Sequence, residues 1–202
     1  MEKYLLNLFQ LPFLYKLQQS FSGANDLKKK VMKSEIDFNK IKKVLDIGCG
    51  IGDTSLIFKD YDIQYFGIDL NKKRINYAKK YYSSPNNSFR SISVEDLADE
   101  NLSFELVLCF GLIHHLKDSE ISEFLNKIKS NNFEYEKIIL LDPVKVPNQS
   151  ILATILHKLD IGQNIKTEEE YISYFEDFNI KSEIIYSSKL KWAPSIKITL
   201  TN

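Results

Sequence analysis

Lys43-Val44-Leu45-Asp46-Ile47-Gly48-Cys49-Gly50-Ile51-Gly52-Asp53 is the stretch on which the architecture turns. Lys43 to Ile47 is a short apolar run that reads as a buried strand. Three of the chain's seven glycines then crowd into positions 48, 50 and 52. A turn of this kind bends tightly and lets the backbone approach a ligand. Thr54 to Lys59 is expected to start a helix capped by Asp53 or Thr54. The order strand, glycine turn, helix opens a β-α unit.

Moving outward, apolar runs recur at Gln64 to Ile68, Phe89 to Ser93, Phe104 to Phe110 and Lys137 to Leu141. Between them Lys72 to Tyr82 and Glu120 to Lys129 carry apolar residues three and four apart: Ile75 and Ala78, then Ile121, Phe124, Leu125 and Ile128. Repeated β-α order predicts a parallel sheet with helices on both faces. Thr167 and Glu170 form a capping box that opens a helix to about Asp177. Lys181 to Ser187 and Ser195 to Thr201 read as a terminal antiparallel hairpin around Trp192-Ala193-Pro194. The first 36 residues read as helical, with Leu5, Leu6, Phe9, Phe13, Leu14 and Leu17 on apolar faces and a break at Ser22 to Asp26.

The expectation is one α/β domain over 1–202: a helical cap over 1–36, a core over 43–202 and a lid over 150–166. The core is doubly wound, with a mostly parallel seven-stranded sheet and an antiparallel C-terminal hairpin strand.

Composition narrows the function. The 202 residues are 44% hydrophobic and 27% charged, which fits a folded globular chain. Its 27 basic and 27 acidic residues cancel, so no whole-molecule field draws a polyanion to the surface. Arg74 and Arg90 are the only arginines, which further weakens a role in gripping phosphates. Cys49 and Cys109 are too few for a disulfide framework or a zinc site. No apolar run approaches the roughly 20 residues of a membrane span. Glu2 beside Lys3, with no small-residue cleavage site, argues against a signal peptide, so a cytoplasmic location is expected.

Asp69 ends the run Tyr65-Phe66-Gly67-Ile68-Asp69-Leu70, roughly 20 residues after the glycine turn starts, where an acid accepts ribose hydroxyls. A nicotinamide enzyme would favour G-x-G-x-x-G, whereas here Gly52 is followed by Asp53. Asp46, in the strand before the turn, would repel a pyrophosphate and would suit the ammonium of an amino-acid cofactor.

Val44 to Asp53, then Gly67-Ile68-Asp69-Leu70, then Leu106-Val107-Leu108-Cys109-Phe110-Gly111-Leu112-Ile113-His114-His115-Leu116 resemble successive motifs of Rossmann-like S-adenosylmethionine-dependent methyltransferases. The resemblance covers roughly Lys43 to Pro143. It implies S-adenosylmethionine as cofactor, Asp46, Gly48, Cys49 and Gly50 around its methionine end, and Asp69 with Leu70 at its ribose. The adenine is expected near Ser93, Val94, Glu95 and Phe110. Ser93-Val94 stands where the family often has an acid and a small residue, and Asn131 to Glu136 replaces a glycine-rich turn before strand five.

His114 and His115 follow strand four, where a neutral imidazole takes the proton of an attacking hydroxyl. The plainer reading ties the loop down with one histidine and leaves the other on the surface. Asp142-Pro143 is a further candidate edge of the pocket. Adenine N6 methylation is argued down, because Phe110-Gly111-Leu112-Ile113 stands where an Asn/Asp-Pro-Pro-aromatic run is expected. Pyrimidine C5 methylation would need a placed nucleophilic cysteine. The acceptor is therefore expected to be a small molecule or a glycan or lipid precursor, methylated on oxygen or nitrogen. A silent cofactor-binding regulator and a protein or RNA methyltransferase are the rival readings. His157, Lys158, Asp160 and Gly162 lie in the expected lid, Tyr4, Tyr15, Phe21 and Trp192 are candidate walls of the acceptor site, and Lys28 to Lys30 reads as a solvated helix face.

Overall fold

The computed structural model describes residues 24–97, 102–130, 133–159, 164–186 and 193–201. Most of the proposed N-terminal cap, with Tyr4, Tyr15 and Phe21, lies outside these residues, as do Asp160, Gly162 and Trp192.

Strands β1 (Lys43–Ile47), β2 (Gln64–Ile68), β3 (Asn87–Arg90), β4 (Leu102–Phe110), β5 (Phe133–Lys145), β7 (Ile180–Tyr186) and β8 (Pro194–Thr201) form one sheet in the order β3-β2-β1-β4-β5-β8-β7. β1 to β5 run parallel, and β8 is antiparallel to both β5 and β7. An eighth strand, β6 (Lys166–Thr167), is only two residues long and pairs with the far end of β5 at Val144 and Lys145. The expected doubly wound sheet and terminal hairpin are both present.

Helices α1 (Ala24–Glu35), α2 (Lys72–Tyr82), α3 (Asp118–Lys129), α4 (Ile151–Leu159) and α5 (Glu168–Ser173) cover the sheet or its C-terminal edge. The central strands alternate between two cores, as a two-residue period requires. Leu45, Ile47, Val107, Cys109, Ile138 and Leu140 pack with Ile121, Phe124, Leu125 and Ile128 of α3 and Tyr171 of α5. Val44, Leu106, Leu108, Ile139 and Leu141 pack with Leu27, Val31 and Met32 of α1 and Ile75 and Ala78 of α2. Strands covered on both faces read as near-continuous apolar runs, which is why they were legible.

Four local expectations need correction. The glycine turn opens a 3-10 turn over Asp53–Ile57, not an α-helix from Thr54 to Lys59. Its start, Gly52, offers no side-chain cap, and the Ser55 hydroxyl bonds back to the Gly52 carbonyl at 2.6 Å. Asp60 and Asp62 would also have placed negative charge at a helix C-terminus, where the dipole opposes it. Strand three ends at Arg90, short of Ser93. The segment Phe133 to Glu136 is strand and not loop, since β5 pairs with β4 from Leu102↔Phe133 onward. The Thr167–Glu170 capping box is present, but α5 ends at Ser173 and not near Asp177, in overlapping short-range turns.

β1 hands on to β2 on one side, while β4 pairs with β1 on the other and continues to β5. The crevice between the carboxyl ends of β1 and β4 is therefore the switch point of the sheet, where open α/β folds bind ligands. The glycine turn after β1 and Gly111 after β4 both lie there.

Candidate active site

The two turns touch. A side chain at Gly48 would meet Leu112 Cδ1 at 3.0 Å, so Leu112, which leads into the turn Ile113–His115, lies against the glycine loop. Gly48, Gly50 and Gly52 have φ of +75°, +58° and +80°, a region that side-chain-bearing residues rarely adopt. At Gly52 an added Cβ would also sit 2.6 Å from Phe89 and 2.9 Å from Ala78.

The loop's amides are turned inward. Gly48 and Cys49 donate to the Ile68 carbonyl at 2.8 and 2.9 Å, Gly52 donates to the Cys49 carbonyl at 3.0 Å, and Gly50 donates to Asp69 Oδ2 at 2.9 Å. A phosphate would need such amides pointing at it. The turn is thus ill suited to a pyrophosphate.

Asp69, at the end of β2, is half-buried and held from two sides: Oδ2 by Gly50 and Oδ1 by the Asn71 amide at 2.7 Å. Each carboxylate oxygen has two lone pairs, so each retains an acceptor position for a hydroxyl. Asn71 in turn caps α2, accepting from Lys73 and Arg74. Leu70, beside the acid, is 77% exposed.

Asp46 is 1% exposed, and its carboxylate accepts the Tyr65 hydroxyl. The parallel register Val44↔Tyr65 places these two on one face, and sequence reading had passed over Tyr65. Burial raises the Asp46 pKa to about 7, against the lowering by the Tyr65 hydrogen bond and the Lys28 charge. The Tyr65 hydroxyl is pushed well up by burial and by Asp46. Because the folded acid holds its proton up to about pH 7 and the unfolded one loses it near 3.8, folding binds a proton between these values. The contribution of Asp46 to stability therefore falls as pH rises through that window, by about 1.4 kcal/mol per pH unit. Asp46→Asn is expected to melt higher than the parent at pH 8 without cofactor, and equally at pH 3.5. Parallel melting curves for the two proteins across pH would contradict this.

The Cys49 side chain does not face outward: its sulfur would meet a Cβ on Gly67 at 2.9 Å, and burial drives its thiol pKa well up. Cys49 can serve a ligand only through its backbone. After β3, the Ser93 amide and hydroxyl both reach Asp96 Oδ2, at 2.9 and 3.0 Å, ahead of the 3-10 turn Glu95–Leu97. Val94 is buried there, and Phe110 is buried at the end of β4.

His114 is 5% exposed and its Nδ1 bonds Asp142 of β5, whose carboxylate also accepts the His114 and Ile113 amides at 3.2 and 3.4 Å. A carboxylate only accepts, so Nδ1 carries a proton; when the ring is neutral, Nε2 holds the lone pair. His115 is exposed, with its ring 4.1 Å from that of His114. Asn164 clasps the same turn, bonding the carbonyls of His114 and Leu116 at 3.2 and 3.0 Å. Lys28 is the clearest departure from expectation. Lys29 and Lys30 are exposed, but Lys28 is 6% exposed and bonds Thr54 Oγ1 at 3.3 Å. Its place was readable, since positions 27, 28, 31 and 32 share one helical face.

A crevice at the switch point, an acid after β2 and a loop whose amides are largely spent within the fold lie at the carboxyl ends of the central strands. A family model described as a methyltransferase domain matches residues 44–131. Over those residues the chain matches methyltransferase domains, and its fold is like that of solved S-adenosylmethionine-dependent methyltransferases, one from Archaeoglobus fulgidus superposing with a TM-score of 0.70 at 18% identity over 94% of this chain and 100% of that one. The uncharacterised methyltransferase YcgJ of Bacillus subtilis is 23% identical over 185 residues, 89% of this chain and 70% of its own. The YcgJ crystal structure superposes with a TM-score of 0.63 at 16% identity, covering 88% of this chain and 98% of that one. Ajmaline N-methyltransferase of Rauvolfia serpentina is 37% identical over 86 residues, 40% of this chain and 30% of that enzyme. Ubiquinone biosynthesis O-methyltransferase of Chromobacterium violaceum is 38% identical over 82 residues, 39% of this chain and 35% of that enzyme. The chain thus spans about a third of the length of these last two relatives. Among the described residues no helix is long and apolar enough to cross a membrane.

Proposed function

We propose that the protein transfers the methyl group of S-adenosylmethionine to an oxygen or nitrogen of a small molecule, or of a glycan or lipid precursor, in the cytoplasm. The observation that carries the reading is the His114–Asp142 pair at the turn entered through Leu112, which packs against Gly48. When bound, the cofactor supplies a methyl on a sulfonium already activated for displacement. Alignment then does much of the work, and the chain adds a base only where the acceptor is poorly acidic.

In this reading Asp69 accepts the ribose hydroxyls and Gly48 and Gly50 let the backbone close on the methionine end, with Cys49 contributing only main chain and Leu70 flanking the acid. Asp46 receives the ammonium directly or through water. Ser93, Val94, Glu95 and Phe110 frame the adenine. His114 takes the acceptor's proton at Nε2, while Asp142 holds the ring and favours the charged form; the exposed His115 flanks it.

The acceptor class rests on three supports. The net charge of zero gives no attraction for a polyanion. The N- and O-methyltransferase relatives match over 40% and 39% of this chain, which is compatible with small acceptors of either kind. Ile151, Leu152 and Ile155 of α4, which follows β5, are exposed and offer an apolar wall. The test is to incubate the purified protein with isotope-labelled S-adenosylmethionine and a fractionated metabolite and lipid extract, and to read mass gains of one methyl. Labelled low-mass products support the proposal. Label only in protein or RNA, or cofactor binding with no turnover, would overturn it in favour of the two rival readings.

A further inference from the structure

A single turn of 3-10 helix cannot pair its own last carbonyls. The turn Ile113–His115 is closed by two bonds, from His115 to the Leu112 carbonyl and from Leu116 to the Ile113 carbonyl, both at 3.0 Å. Its Ile113 and His114 amides go to Asp142 of β5. Its carbonyls go to a residue 48 positions beyond Leu116: the Asn164 amide donates to His114 at 3.2 Å and Asn164 Nδ2 to Leu116 at 3.0 Å. Asn164 is itself held. Ile165 beside it is buried, and β6 pairs with β5 at Val144↔Lys166 and Lys145↔Thr167. Lys166 Nζ bonds Asp118 Oδ1 at 2.8 Å, at the start of α3, where the chain leaves the turn. Asp142 and Asn164 are thus both referred to the same stretch of β5, one gripping the turn by its donors and the other by its acceptors.

We propose that Asn164 is a positioning residue for methyl transfer: its side-chain amide fixes the turn so that the His114 ring keeps its alignment with Asp142 and presents Nε2 to the acceptor. Asn164 in this role rests on the general-base reading above and lies outside the matched domain. The residue is half-buried, so water can replace its bond to the Leu116 carbonyl and the fold survives the loss. Alignment is less forgiving, since a shift of about 1 Å in a reacting group costs on the order of 100-fold in rate.

The test compares wild type with Asn164→Ala and with Asn164→Asp, which keeps the shape but has no donor for a carbonyl. Turnover is read as S-adenosylhomocysteine formed against the fractionated metabolite and lipid extract. Both variants are expected to fall by about 10–100-fold, with calorimetric affinity for S-adenosylhomocysteine unchanged. In a His114→Ala background, adding Asn164→Ala should cost less than about 2-fold, because the residue acts through the ring. Equal cost in both backgrounds would make Asn164 a structural prop and overturn the proposal. The ring is also read directly, from the imidazole nitrogen resonances of the three histidines, each assigned by its alanine variant. His114 should be protonated at Nδ1 in wild type and a mixture of tautomers in Asn164→Ala, with His157 unmoved. An unchanged His114 signal would overturn the proposal. Full turnover in Asn164→Asp beside a slow His114→Ala would sink this proposal alone, whereas full turnover in His114→Ala would sink the base reading and this proposal with it. Should wild type itself give no turnover, the proposed function fails and the ring signal still decides whether Asn164 sets the His114 ring.

Discussion

His114→Ala is expected to lower methyl-transfer turnover by about 10²–10⁴-fold, the usual worth of a positioned general base, with cofactor affinity nearly intact. The expectation applies to an acceptor whose proton must leave as the bond to the methyl forms. Asp142→Asn should lower turnover as well. A carboxamide does not enforce the Nδ1-protonated tautomer and does not stabilise the imidazolium that forms. Activity should fall on the acid side of the pH profile, because a protonated imidazole has no lone pair to offer. In the alanine variant the residual rate should lose that limb. His115→Ala is expected to stay close to wild type, since its ring is exposed beside that of His114. Melting curves guard against a trivial loss, because Asp142 also anchors two backbone amides of the turn. Full turnover across pH in His114→Ala would remove the base from the mechanism and leave alignment alone.

Asp69→Ala should weaken S-adenosylhomocysteine and 5′-methylthioadenosine together, since both carry the ribose. Each hydrogen bond to a charged acceptor contributes on the order of 1.5–3 kcal/mol, so losing two corresponds to at least about a 100-fold rise in Kd before water compensates. The same substitution releases the Gly50 and Asn71 amides, loosening the glycine turn and the start of α2. Glu95→Ala should cost less, because the adenine edge can also be met by main chain. A Kd for Asp69→Ala equal to that of wild type would remove Asp69 from the ribose.

The parts of the site that were legible are those with a local cause. Gly48, Gly50 and Gly52 sit at positive φ and announce a tight turn. Asp69 ends a strand whose apolar run ends with it, and the periodicity of α2 and α3 was plain because each buries one face on the sheet. The capping box at Thr167 was likewise readable, because its partners lie three residues apart. What failed locally was chain with competing signals: Thr54 to Lys59 looked helical by composition, yet a short crossover with a hydroxyl back-bond settled as a 3-10 turn.

The chemistry between elements was another matter. Asp142 and His114 are 28 positions apart, and nothing near either one names the other. They meet because β4 and β5 pair in parallel with Phe110 beside Leu141, which puts the turn after one strand over the end of the next. Tyr65 reaches Asp46 through the register of β1 and β2, and Lys28 reaches Thr54 through the packing of α1. Periodicity, turn chemistry and strand-end acids are properties of a few consecutive residues, so the chain alone specified the class of fold, the glycine turn and the acid that follows β2. Which proton His114 carries, how Asp46 titrates and which lysine is buried depend on neighbours brought together by register and packing, and only the folded sheet decided them.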